Sequence, residues 1–182
     1  MRVALIGSRK APRKVLDLMI SIGENFSNKG YLAYSGGAPG SDEAWLAKYD
    51  RSRSLRIIPY NGFCGHTVGL GVVSFENLPV DVQTTSYRIA QSVTSYWENC
   101  SDIVRKLFAR NACQVLGLTC QDPVDLVLYW APVRNGRVQG GTRVAVDIAK
   151  KYGIKCINLN NSEVFKKFED KYRPKFDIFN LL

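Results

Sequence analysis

Apolar residues along this chain recur with two different periods. Short, mostly apolar runs at Arg2 to Ile6, Tyr31 to Tyr34, Arg56 to Tyr60, Asp125 to Trp130 and Lys155 to Leu159 have the length and content of buried strands. Between them, apolar positions return every three or four residues. Val15, Leu16, Leu18, Met19, Ile22 and Phe26 follow Pro12 in this way, and Ile103, Val104, Leu107, Phe108, Val115 and Leu116 mark a second such stretch over 101–116. These patterns, with shorter ones at 41–49, 84–97 and 142–152, predict helices. Strands alternating with helices imply a doubly wound α/β domain, a mainly parallel sheet with helices on both faces.

Two segments depart from the alternation. From Asn61 to about Val82 the chain carries Gly62, Gly65, Gly69, Gly71 and its single histidine, His66, without a sustained period, so 61–82 reads as an insertion or lid loop. From Ser162 to Lys175, Phe165, Phe168 and Tyr172 alternate with Lys166, Lys167, Lys171, Arg173 and Lys175. That pattern predicts a basic amphipathic helix, which makes 1–160 the body of the domain and 161–182 its C-terminal helix and tail.

No apolar run approaches the roughly 20 residues of a membrane span. Gly7 follows Met1 too closely for a signal-peptide hydrophobic region, so a cytoplasmic protein is expected. Cys64, Cys100, Cys113, Cys120 and Cys156 are odd in number and lack CxxC spacing, which points to reduced, mostly buried thiols rather than a disulfide framework or a zinc site. Nothing suggests a metal site or a cofactor. Lys and Arg exceed Asp and Glu to give a formal net charge of +9, which makes polyanions candidate partners.

In a parallel α/β sheet, ligands bind beyond the carboxyl ends of the strands, and three loops there are unusual. Gly7, Ser8 and Arg9 combine a close backbone approach, a hydroxyl and a guanidinium suited to phosphate. Ser35, Gly36, Gly37, Ala38, Pro39 and Gly40 lead into a helix start at Ser41 and Asp42, where free amides favour an anion. Asp42 fits either a ribose hydroxyl or the helix dipole, and Glu43 reads as a surface acid. Gln139, Gly140, Gly141 and Thr142 form a second glycine-rich helix start, with Thr142 either a ligand group or an N-cap. Arg110 and Asn111, by periodicity alone, are a solvated polar pair.

Taken in order, Gly7-Ser8-Arg9, Ser35 to Asp42, Arg110-Asn111 and Gly140-Gly141-Thr142 resemble the SLOG superfamily. That group joins the Rossmann-like domains of the DNA-processing protein DprA, the LOG phosphoribohydrolases, and short stand-alone bacterial and phage proteins, the last being the nearest in pattern. The resemblance implies a Rossmann-like fold, a homodimer, and a nucleotide or nucleic-acid phosphate held by these loops, with Arg110 as a phosphate ligand. The LOG branch carries a glutamate three residues past the threonine of its Gly-Gly-x-Gly-Thr pattern, where this chain has Ala145. Asp147 would point to another face. The expected partner is therefore a nucleotide, a nucleotide-derived signal or a single-stranded nucleic acid, with no membrane partner. Tyr60, Phe63, Tyr96, Trp97 and Trp130 are candidate stacking surfaces, Tyr96 and Trp130 being read as core. The alternative is a nucleotide N-glycosidase whose acid comes from Asp42, Glu43 or Glu76. His66 without a partner is a weak acid–base candidate, and no catalytic residue is assigned.

Overall fold

The structure, a computed structural model, describes residues 1–173, so the part of the basic tail beyond Arg173, including Lys175, lies outside the described residues. Its strands are β1 (Arg2–Gly7), β2 (Leu32–Ser35), β3 (Ser54–Ile58), β4 (Val72–Ser74), β5 (Leu126–Trp130), the short pair β6 (Val133–Arg134) and β7 (Arg137–Val138), and β8 (Lys155–Asn158). The helices are α1 (Arg13–Asn28), α2 (Ser41–Leu46), α3 (Val80–Gln91), α4 (Asp102–Leu116), α5 (Thr142–Lys151) and α6 (Ser162–Tyr172).

Six strands form one sheet in the order β4-β3-β2-β1-β5-β8, every neighbouring pair parallel. The fold is α/β and Rossmann-like. The chain winds outward from β1 through β2 and β3 to β4, then crosses to β5 and β8 on the other side, so its direction switches between β1 and β5. Outside the carboxyl ends of those two strands a sheet of this kind leaves a crevice.

Every residue of β5 and the four central residues of β1 are buried, which is why their sequences show no polar alternation. The strand period nonetheless sorts them. Val3 and Leu5, with Leu126, Leu128 and Trp130, pack into a core shared with Leu18, Met19, Ile22 and Trp45, to which Phe165 and Phe168 of α6 add. Ala4, Ile6, Val127 and Tyr129 face the opposite core, with Ala112, Val115, Val144 and Ile148. The two cores are the two layers of helices.

Four expectations from the sequence change. The 61–82 stretch is not wholly irregular, because Val72–Ser74 pair with Arg56–Ile58 as an edge strand. Three residues are too few to show a period. Helix α3 begins at Val80 rather than 84, because Pro79, with φ −51°, presets the helical entry; it ends at Gln91, ahead of the turn that carries Trp97. The stretch from Pro132 to Val138, whose sequence reads as a polar loop, contains an antiparallel hairpin, turned by Asn135 at φ 51° and Gly136 at φ 70°. All five cysteines are free as expected, but only Cys113 is buried and Cys64 is exposed. No helix among the described residues is long and apolar enough to cross a membrane.

Candidate functional site

A cavity of about 570 Å³ lies at the carboxyl ends of β1 and β5. Its floor is the turn from Ile6 to Lys10, with Ala38 and Asp42 beside it. One wall is α4, through Val104, Leu107, Phe108, Arg110, Asn111 and Gln114. The facing wall is Pro132 and the run Gln139 to Thr142, with Ala145 behind. The lining thus combines apolar side chains with amides, guanidinium groups and a carboxyl, the mixture that orients a small organic anion.

The polar end is built by packing. Helix α4 leans on β2 and β3 across the sheet face, so its inner surface from Phe108 to Leu116 is buried, and Arg110, Asn111 and Gln114 are buried with it. Gly36 makes room for this. A Cβ there would strike the Arg110 guanidinium and the Asp42 carboxylate and stand 2.7 Å from Gln114 Nε2. The three polar tips therefore converge over one glycine.

Arg110 is 6% exposed, forms no ion pair among the described residues, and its Nε has no hydrogen-bond partner. Burial pulls its pKa down from the usual arginine value, and the nearby charge of Asp42 offsets part of that. Gln114 Nε2 is buried without a partner as well. Asp42 is 5% exposed, and burial pushes its carboxyl up to about 6 against the pull of Arg110, of the Ala38 amide at 3.2 Å and of Arg9. A buried cation and a buried amide with unmet donors face a carboxyl near its own titration point. That is an unstable arrangement unless an anion completes it.

The raised pKa of Asp42 has a definite sign. The folded protein binds this proton more tightly than an unfolded chain, whose carboxyl has the ordinary value of 3.8. Stability is therefore fully present below about pH 4 and is lost as pH rises to about 6, by on the order of 3 kcal/mol. Asp42→Asn is expected to remove this fall and to raise stability at pH 7.5 by about 1–3 kcal/mol, read by thermal melts across that range. An unchanged pH profile would mean that Asp42 titrates normally.

Ten of the fourteen residues singled out in the sequence line this cavity: Gly7, Ser8, Arg9, Ala38, Asp42, Arg110, Asn111, Gly140, Gly141 and Thr142. Ser35, Gly36, Gly37 and Gly40 stand behind its surface. Ser35 Oγ donates to the Leu5 carbonyl at 2.6 Å, and Gly37, at φ 72°, lies under His66. Gly40, at φ 88°, passes so close to the Arg9 backbone that a Cβ would come within 2.7 Å of the Arg9 carbonyl. Helix α2 is only six residues long, and Asp42 turns back to accept the Ala38 amide, so this glycine loop is filled in part by its own carboxylate.

The second glycine run is open. Arg143 and Val144 donate to the carbonyls of Gly140 and Gly141, and the amides before them, Gly140, Gly141 and Thr142, donate to no group among the described residues. Thr142 is the first helical residue and caps nothing. Asn111 Nδ2 holds the Gly141 carbonyl at 3.2 Å, tying this run to α4.

Gln114 escaped notice in the sequence, although it stands four residues after Arg110 and so on the same helix face. Trp130 is buried as expected, whereas Tyr96 is half-exposed at the edge of the Phe108 ring, with the Arg143 guanidinium 4.9 Å over it. Of the three acids considered, only Asp42 reaches the cavity. Glu43 lies 4.0 Å from His66 Nε2, Glu76 pairs with Lys106 at 3.2 Å, and Asp147 faces Arg143 at 3.9 Å. No group of three or more His, Cys, Asp or Glu side chains that could hold a metal ion occurs among the described residues.

No family model matches the chain, and no curated protein does. Among solved structures it is similar to the DNA processing protein A of Helicobacter pylori, which was described for its single-stranded DNA binding mode. The match covers 100% of this chain and 78% of that one, with a TM-score of 0.54 and 16% sequence identity, and at that identity the likeness is one of fold.

Proposed function

We propose that this domain binds single-stranded nucleic acid in the manner of the SLOG superfamily, taking the phosphate and base of one nucleotide into the cavity. The observation that carries this is Arg110, a buried guanidinium aimed into the crevice with an unmet donor and no paired carboxylate among the described residues. A phosphate completes it bidentately, and the free amides of Gly140 to Thr142 take the remaining oxygens. The apolar lining residues Val104, Leu107 and Pro132 suit the face of a base. The fold shared with a protein known for single-stranded DNA binding supports the reading, as does the net charge of +9.

Fluorescence anisotropy of a labelled thymidylate oligonucleotide tests it. Binding should weaken linearly in log–log form as salt rises, by about 0.7 in slope for each phosphate neutralised. Arg9→Ala should weaken it by roughly 3- to 10-fold, since Arg9 is exposed at the rim and a rim charge contributes less than a buried one. Absence of binding at low salt would overturn the reading.

One observation favours a second reading. Asp42 is a buried acid with a pKa near 6 on the cavity wall, the property a general acid needs near neutral pH. In a nucleotide N-glycosidase, Asp42 would give its proton to the leaving base as water adds to the anomeric carbon and the N-glycosidic bond breaks, the proton of that water restoring the acid. Incubation with a panel of nucleoside monophosphates should release free base, and Asp42→Asn should stop the release. No release from any of them would eliminate this reading.

A further inference from the structure

We infer that the β6–β7 hairpin is a phosphate-gripping finger that holds the strand where it leaves the cavity; the inference rests on the nucleic-acid reading above and extends it from one nucleotide to several. The hairpin grows directly from the cavity wall. Pro132 and Gln139, the residues at its base, both line the cavity and are joined by the Gln139 amide donating to the Pro132 carbonyl at 2.9 Å. Buried Ala131 and Val138 anchor the base, and the Gln139 side chain donates to the Arg137 carbonyl at 2.7 Å. The tip stands clear of the protein, with every residue from Pro132 to Arg137 exposed.

What the tip carries is unfavourable for the protein alone. Arg134 and Arg137 are register partners, directly opposite one another across the Asn135-Gly136 turn. Like charges facing one another at a cross-strand separation of about 5 Å destabilise a hairpin. Neither arginine has an ion pair among the described residues. The sequence supplies no counter-charge nearby, since no Asp or Glu occurs between Asp125 and Asp147. Two exposed guanidinium groups on residues paired across a two-residue turn at the rim of the cavity match the oxygens of consecutive phosphodiesters. From the rim to the arginines is two residues of extended chain, about 7 Å, so their side chains reach a backbone emerging from the cavity.

The test compares probes of different length. Labelled thymidylate of about twelve nucleotides, which is long enough to cross both features, is compared with thymidine monophosphate, which reaches only the cavity. The double variant Arg134→Ala with Arg137→Ala should bind the long probe at least about 10-fold more weakly at 0.1 M salt, with a salt slope shallower by roughly 1 to 1.5. It should bind the monophosphate as wild type does. Arg134→Lys with Arg137→Lys should keep most of the slope. Thermal melts of both variants should match wild type or lie slightly above it, because no core contact is removed. An unchanged slope for the long probe overturns the inference while leaving the cavity reading in place. Equal loss of both probes also overturns it, since the arginines would then be acting through the cavity wall. If the wild-type chain binds the monophosphate but gains nothing from a longer strand, the finger has no partner; if it binds neither, the underlying reading fails with it.

Discussion

Replacing Arg110 with methionine is expected to remove oligonucleotide binding while leaving the domain folded. Methionine preserves most of the aliphatic stem that packs within α4 but deletes the guanidinium, which is 6% exposed and has an Nε without a partner. Truncating one member of a desolvated charge pair costs about 2–5 kcal/mol of binding, which is roughly 30- to 5,000-fold in affinity. The effect on stability runs the other way. Burial already depresses the arginine pKa, which means that keeping this charge is costly to the fold, and a neutral side chain of similar volume relieves that cost. Asp42 then loses its nearest cation, and its pKa moves further up, so the carboxyl stays neutral over more of the physiological range. Anisotropy titration and a thermal melt on the same preparation check both halves. A variant that binds normally would show that phosphate is held elsewhere, and one that fails to fold would show that Arg110 is structural. Arg110→Lys separates charge from geometry: it should fall between the two, because a single ammonium cannot reproduce a planar fork.

Much of this arrangement is legible in the sequence because glycine and strand ends leave unambiguous marks. The runs Val3 to Ile6 and Leu126 to Trp130 are apolar throughout, and a strand buried on both faces must be. The glycine loops follow such strands, and the carboxyl ends of β1 and β5 then bring Gly7 and Gly140 to one cavity. What the residues alone could not decide was burial. Arg110 and Asn111 interrupt an apolar helical pattern in the way solvated residues do, and only the packing of α4 against the sheet shows that the interruption points inward. Asp42 posed the same ambiguity in a shorter helix. The Asn135-Gly136 pair was a readable turn signal, but its strands are two residues each, too short for alternation to register. Likewise β4 lies within a glycine-rich stretch whose ordering depends on β3 beside it. Local pattern marks elements that carry their own core, while edge strands and hairpin tips depend on neighbours distant in sequence.

The largest effect on stability is expected at Trp45, a residue that touches no ligand. Helix α2 has only six residues, too few to be stable by itself, so its position rests on what it buries. Trp45 is fully buried among Leu5, Leu18, Met19 and Ile22, and its indole Nε1 donates to the Ile6 carbonyl at 3.0 Å. The contact is close enough to require glycine on the other helix, since a Cβ on Gly23 of α1 would strike the Trp45 carbonyl. Trp45→Ala should cost about 3–5 kcal/mol, from lost transfer energy and the void left behind. In a domain of this size that is a fall of roughly 6–20 °C in Tm. Trp45→Phe keeps most of the apolar area and loses the indole hydrogen bond to the Ile6 carbonyl, at an expected cost of about 0.5–1.5 kcal/mol. These two variants should also differ in binding. Ile6 and Gly7 form the cavity floor and Asp42 lies three residues before Trp45, so loosening α2 moves one side of the phosphate site while Arg110 stays fixed on α4. Measured well below its melting temperature, Trp45→Ala should therefore bind oligonucleotide several-fold more weakly than Trp45→Phe. Equal affinities would show that α2 contributes to the stability of the domain without positioning the site.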